Sequence, residues 1–198
     1  MTGMRNIGIL LFENVEELDA VGPWEVLAYW CKRFPDAGWA VHTLARDGGV
    51  VRCAKGMDIV AQHSFADAPP SEILVHPGGR GTRPLLTDDD HLAWVRERRA
   101  AVPLLTSVCT GSLVYAAAGL LSGRPATSHW STVDQLAELD PTVEVRPDDR
   151  FVDDGDVITS AGISAGIDMA LHIVARFGGA DQARTVRRGI QYDPLPPV

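Results

Sequence analysis

Short apolar runs alternate with amphipathic stretches along most of this chain, and no other feature limits its fold so severely. That pattern builds βαβ units around a largely parallel sheet. Ile7 to Phe12 reads as a first buried strand, Leu18 to Trp30 as a helix with Pro23 near its start, and Trp39 to Ala45 as the next strand. Val50 to Gln62, broken by Lys55-Gly56, reads as a peripheral β-hairpin. The strand Ile73-Leu74-Val75 runs into His76-Pro77-Gly78-Gly79, which places a Gly-Gly loop at its C-terminal end. Asp88 to Ala101 has helical periodicity and an acidic first turn that suits the helix dipole. Val102 to Val108 is a further strand, and Gly111 to Leu121 a buried helix closed by Gly119 or Gly123. Val143 to Val145, Phe151-Val152 and Val157 to Thr159 are short strands, Ile167 to Phe177 and Ala180 to Ile190 closing helices, and Pro194 to Pro197 an extended tail. The expected architecture is an α/β, flavodoxin-like sandwich. At 198 residues the chain suits one domain, 1–198, without internal repeat or linker, and no helix-turn-helix unit is expected after Ile190.

Charge narrows the partners. A formal net charge of −8 argues against nucleic acid and anionic membrane surfaces. The densest basic stretch, Arg96, Arg98 and Arg99, is interleaved with acids and reads as a solvated helix face. Cys31, Cys53 and Cys109 are an odd, sparse set without CxxC spacing, so neither a disulfide framework nor a zinc site is expected. The apolar run near the N-terminus is shorter than a signal-peptide core, and no segment reaches membrane-spanning length. A reducing, cytoplasmic setting follows as the expectation.

One stretch carries chemistry. Leu104 to Ser112 has the layout of a nucleophile elbow: strand, small residues, Cys109, then a helix opening at Gly111. A thiol there points into the crevice at the strand ends and lies near the positive end of the next helix, which favours the nucleophilic thiolate. A buried structural cysteine is the competing reading, and Ser107, Thr110 or Ser112 could supply a working hydroxyl instead. Thr110 and the N–H groups near Gly78 and Gly79 are candidates for an oxyanion-type pocket.

At these residues the chain resembles the DJ-1/PfpI superfamily, of class I glutamine amidotransferase-like fold, from Ile7 to about Ile190. The elbow cysteine falls on Cys109, the strand-end loop on Pro77-Gly78-Gly79, and the acid after the first strand on Asp19. The frame Leu18-Asp19-x-x-Gly22-Pro23 is similar to the isocyanide hydratase branch, which carries Asp where DJ-1 itself carries Glu. Cys109-Thr110-Gly111-Ser112, Thr127-Ser128-His129-Trp130 and Ala161-Gly162-Ile163-x-Ala165-Gly166-Ile167-Asp168 point the same way. Sensor halves of AraC-type regulators share several of these strings.

The resemblance implies hydration of an isocyanide to an N-substituted formamide, with Cys109 attacking the terminal carbon and Asp19 handling protons. Gly78, Gly79, Gly162 and Ile163 would line the substrate or oxyanion site. His129, twenty positions after Cys109 as in DJ-1, and Trp130 would stand close by. Trp24, Trp130 and Ile163 could frame an apolar pocket. No metal or organic cofactor is implied, and a homodimer acting on a small molecule is. Glyoxalase- or deglycase-like chemistry, and a non-catalytic ligand- or oxidant-sensing module, are the alternatives. Departures also matter. PfpI-type peptidases place His after the nucleophile, where this chain has Thr110, and no late His-x-Glu pair of an amidotransferase follows Cys109.

Overall fold

A computed structural model of the protein describes residues 3–194. Leu195, Pro196 and Pro197 of the expected tail lie outside the described residues. The first half runs β1 (Arg5–Leu10), α1 (Glu17–Arg33), β2 (Trp39–Ala45), β3 (Gly49–Arg52), β4 (Asp58–Ala61), β5 (His63–Ser64), β6 (Ile73–His76), α2 (Thr82–Leu85) and α3 (Asp89–Ala101). The second half runs β7 (Leu104–Val108), α4 (Gly111–Ala117), β8 (Pro125–Ala126), α5 (Val133–Leu139), β9 (Glu144–Val145), β10 (Phe151–Asp153), β11 (Val157–Ser160), α6 (Ala165–Gly178) and α7 (Ala180–Gly189).

The main sheet has seven strands in the order β10-β11-β7-β6-β1-β2-β5. All neighbours pair in parallel except β10 with β11. Strands buried on both faces need apolar residues on both, and β6 and β7 are buried throughout. Ile7, Ile9, Val75 and Val108 pack with α1, α6 and α7 on one face. Leu10, Leu74 and Leu105 pack with α3, α4 and α5 on the other. The hairpin forms as expected: β3 and β4 pair antiparallel in a small sheet of their own.

Three details depart from the pattern expected of the sequence. The helix α1 begins at Glu17, so Pro23 stands inside it, past the first turn, and no N–H returns to the carbonyl of Asp19. The helix α4 stops at Ala117 and not at Leu121, because Gly119 takes φ +76° and closes it, the Gly119 N–H bonding Ala116 O at 2.8 Å. Pro103 delays β7 to Leu104. The α3 start matches its acidic signal, with Asp88 accepting from His91 N at 2.9 Å.

A buried hydroxyl fastens α4 to β7: Tyr115 donates to Thr106 O at 2.9 Å. Tyr115→Phe should therefore destabilise the fold by about 1 kcal/mol, lowering Tm by about 2–4 °C for a chain of this size. Calorimetric melting checks this, and an unchanged or raised Tm would contradict it.

Candidate active site

The strands β11, β7, β6 and β1 are neighbours, and the segments leaving their C-terminal ends converge. From β7 comes Cys109, at φ +57°. A non-glycine residue in that left-handed region is strained by roughly 1–2 kcal/mol. The surroundings hold it there: Cys109 N lies 3.1 Å from Ser160 O and 3.2 Å from Ala161 O, while Ser112 and Ser128 donate their hydroxyls to Cys109 O at 3.1 and 3.2 Å. Ser112 is thereby committed to shaping the elbow. From β11 comes Ile163, also in the left-handed region at φ +48°, and the N–H groups of Ile163 and Thr110 point at the Cys109 sulfur.

From β1 the chain enters α1, whose first turn carries Asp19 into complete burial. The carboxyl lies within hydrogen-bonding reach of the Cys109 thiol. Its Oδ2 accepts from Gly78 N at 2.9 Å, and its buried Oδ1 has no hydrogen-bond partner. Burial, with the Glu16 charge adding to it, raises the Asp19 pKa to about 7 against the pull of the Gly78 N–H. Burial and then the Asp19 charge push the Cys109 thiol up in turn, outweighing the N–H groups of Thr110 and Ile163. The expectation that the elbow alone favours thiolate is thus corrected. Buried together, the carboxyl and thiol titrate as a pair that holds one negative charge more readily than two. A thiolate forms here most easily when the carboxyl beside it carries the proton.

The loop after β6 sits against both. A Cβ on Gly78 would lie 2.5 Å from Thr110 N and 2.9 Å from Asp19 Oδ2. Gly79 takes φ +118°, and a Cβ there would lie 2.3 Å from Glu16 N. The two glycine N–H groups, expected to cradle a developing anion, are already engaged: Gly78 with Asp19, and Gly79 with the Thr110 hydroxyl at 2.9 Å. The inward-facing donors are those of Thr110 and Ile163.

Gly162 admits His129, whose Cδ2 would lie 2.2 Å from a Cβ there. His129 turns Nδ1 to the Ser131 hydroxyl at 2.8 Å, and burial lowers its pKa. Trp130, 77% exposed, stands beside that ring at a centroid distance of 5.5 Å. Trp24 does not join them. It lines a cavity of about 420 Å³ between α1 and the hairpin with Leu11, Ala20 and Val60, and that cavity's walls include neither Trp130 nor Ile163.

Two further residues shape the site without a sequence motif that marks them. Thr82 donates to Gly79 O at 2.8 Å and lies 3.0 Å from the Thr110 hydroxyl, pinning the loop to the elbow. His76 ends the otherwise apolar β6, and an imidazole in a fully buried strand is the signal that could have marked it. Cys31 and Cys53 are free thiols, each pushed up to about 11 mainly by burial. Among the described residues no group of His, Cys, Asp and Glu is arranged to hold a metal ion, and no helix is long and apolar enough to cross a membrane.

Known proteins share this arrangement of sequence and fold. A model of the DJ-1/PfpI family matches residues 5–176. The isonitrile hydratase of Pseudomonas putida is 41% identical over 192 residues, covering 96% of this chain and 80% of that protein. The HTH-type transcriptional regulator CdhR of Pseudomonas aeruginosa is 34% identical over 146 residues, 72% of this chain but only 42% of the regulator. A crystal structure of a ThiJ/PfpI family protein from Pseudomonas syringae superposes with a TM-score of 0.87 at 34% identity, covering 99% of this chain and 78% of that one.

The raised Asp19 pKa has a stability consequence. A buried acid whose folded pKa exceeds its unfolded value stabilises the fold fully below the unfolded value, and that contribution is lost as pH rises through the folded one. For Asp19 the window runs from the ordinary 3.8 to about 7. The Tm of Asp19→Asn relative to wild type should therefore climb between pH 4 and pH 8, by several degrees for a penalty on the order of 4 kcal/mol. A pH-independent difference would show that Asp19 ionises normally in the fold.

Proposed function

Since the chain belongs to the DJ-1/PfpI family, we propose that it is a cofactor-independent isocyanide hydratase in which Cys109 is the nucleophile and Asp19 gives and takes the protons. The observation that carries this reading is the buried thiol at a strained elbow beside a carboxyl poised near neutrality. The 41% identity to a protein known as an isonitrile hydratase supports the substrate class.

The isocyanide carbon is electrophilic and also bears a lone pair. The Cys109 sulfur bonds to that carbon while the Asp19 carboxyl delivers its proton to the same carbon, giving a thioimidate, R–N=CH–S. Asp19, now a carboxylate, accepts a proton from water as the water oxygen adds to the carbon. Asp19 passes that proton to the nitrogen, giving R–NH–CH(OH)–S–Cys109; the hydroxyl proton then returns to the Asp19 carboxylate as the C–S bond breaks, and R–NH–CHO leaves with the Cys109 thiolate and the protonated Asp19 restored. Atoms balance as isocyanide plus water to formamide. The N–H groups of Thr110 and Ile163 stabilise the sulfur anion at departure. A group with a pKa near the working pH is the efficient choice for both proton movements.

A sensing module is the second reading, favoured by the identity to CdhR, of which this chain spans less than half the length. A homodimer accompanies the proposed enzyme. The side chains of Val50 and Val60, cross-strand partners on the hairpin and both largely exposed, are the apolar surface it would cover.

Purified protein given a simple alkyl isocyanide should release the formamide. Cys109→Ala should abolish turnover, and Asp19→Asn should lower it by about 10²–10⁴-fold, the usual share of general acid–base catalysis. Consumption of methylglyoxal without isocyanide turnover would favour the glyoxalase-like chemistry, and inertness to both would favour sensing. Full activity in Cys109→Ala would refute the mechanism. Light scattering should return a dimer's mass, and a monomer at micromolar concentration would refute the assembly.

A further inference from the structure

Beneath the reacting pair runs a chain of hydrogen bonds that the hydration scheme does not use. His76, wholly buried at the end of β6, places Nδ1 2.8 Å from Pro77 O and Nε2 3.1 Å from Nε2 of His91 on α3. A carbonyl only accepts, so Nδ1 carries the proton. Burial and the neighbouring His91 hold the His76 pKa at about 3, so its ring is neutral and its Nε2 bare. The contact between the two rings therefore needs the proton on Nε2 of His91. Both tautomers are fixed by geometry, and the donated bonds run one way, from His91 through His76 to the Pro77 carbonyl.

The Pro77 carbonyl belongs to the same rigid peptide as the Gly78 N–H, which donates to Asp19 Oδ2 at 2.9 Å. A donor on the carbonyl of a peptide strengthens its N–H as a donor. Oδ2 thus accepts a bond throughout, and Oδ1, buried and without a partner, is the oxygen left to carry a proton. Gly111 closes on this peptide from α4, where a Cβ would lie 2.8 Å from Pro77 O. Packing alone does not call for an imidazole here. The other residues of β6 are Ile73, Leu74 and Val75, and His76 sits between the rings of Phe12 and Tyr115.

We propose that His76 is a positioning residue: by gripping the Pro77 carbonyl it fixes the Pro77–Gly78 peptide, so that Gly78 claims Asp19 Oδ2 and the proton moved in the reaction is confined to Oδ1. This rests on Cys109 and Asp19 being the reacting pair. The other charged groups facing Asp19 are Glu16, beside it before α1, and Lys55 from the hairpin tip. Asp88 and Arg46 face His91, and Tyr115 faces His76 from α4.

The test reads Cys109 directly, without substrate. Full-length wild type, His76→Leu and His76→Asn are alkylated with iodoacetamide from pH 5 to pH 9, the modified cysteine is assigned by peptide mass, and folding is checked by melting. His76→Leu weakens the Gly78 N–H that favours charge on Asp19, so Cys109 alkylation at neutral pH should quicken by about fivefold, the size of one lost hydrogen bond, and its midpoint move down by about 0.7 unit. Isocyanide turnover should fall in kcat by a similar factor, with KM little changed. His76→Asn, which keeps an N–H donor near the place of Nδ1, should restore most of the wild-type alkylation curve and turnover. A folded His76→Leu with the wild-type alkylation curve would overturn the proposal, as would an Asn variant no better than Leu. Nitrogen NMR of the wild type supplies an arm free of mutation: it should show His76 protonated at Nδ1 and His91 at Nε2, and the opposite tautomer at His76 would overturn the proposal outright. Absence of isocyanide turnover in wild type would refute the hydratase reading while leaving the alkylation curves and tautomers to decide the role of His76.

Discussion

Two loops leaving neighbouring strands meet at the site because hydrogen atoms stand where side chains would begin. A Cβ on Gly111 would lie 2.2 Å from His76 O, and one on Gly78 2.5 Å from Thr110 N. With those contacts closed, the Gly78 N–H reaches Asp19, the Gly79 N–H reaches Thr110, and the Thr82 hydroxyl comes within 3.0 Å of that of Thr110 across the same seam. Moving the loop outward to admit a methyl group would break all of these together. The sheet supplies the strand ends, but the glycine contacts set the spacing of sulfur, carboxyl and donors.

At that spacing the electrostatics follow. Two acids buried side by side do not both ionise, and the burial that raises each pKa also excludes the water that would screen them. A site so made carries one negative charge and one proton between sulfur and oxygen. The N–H groups of Thr110 and Ile163 lean toward charge on sulfur, and that of Gly78 toward charge on oxygen. The strained backbones of Cys109 and Ile163 persist because the two strands behind them are paired along their length, Val157 to Ser160 against Leu105 to Val108.

Much of this was legible in the residues, for identifiable reasons. Buried strands declare themselves as unbroken apolar runs, and the hairpin by a Lys-Gly turn between two β-rich segments. The elbow shows because a small residue must follow a tight strand-to-helix turn, and Gly111 does. Other features depended on contacts far apart in sequence. Whether the Gly78 and Gly79 N–H groups face a substrate or are already engaged turns on Asp19 and Thr110, and no local pattern encodes that. The thiol departs from its sequence expectation for the same reason: a helix start near Cys109 is visible in sequence, but the depth of burial that outweighs it is tertiary. Trp24 was grouped with Trp130 by residue type, yet it lies on the hairpin side of α1.

Thr110 ties these points to the choice among reaction classes. A histidine after the nucleophile would offer a second proton carrier beside the sulfur. Thr110 offers none that is free: its hydroxyl accepts from Gly79 N, and Thr82 lies 3.0 Å away. His129 turns its Nδ1 toward Ser131 and its ring against Gly162. In the proposed reaction, proton traffic at Cys109 then falls to a single carboxyl with one unengaged oxygen. Such a group can give a proton and take one back in succession, which is the demand of adding water to a carbon that carries both its vacancy and its lone pair. It is poorly equipped for peptide cleavage, where an amine leaving group must be protonated while a water is held for the next step. Under the proposed function, the substitution of a locked hydroxyl for a mobile imidazole narrows the chemistry open to this elbow more than any change in the fold around it.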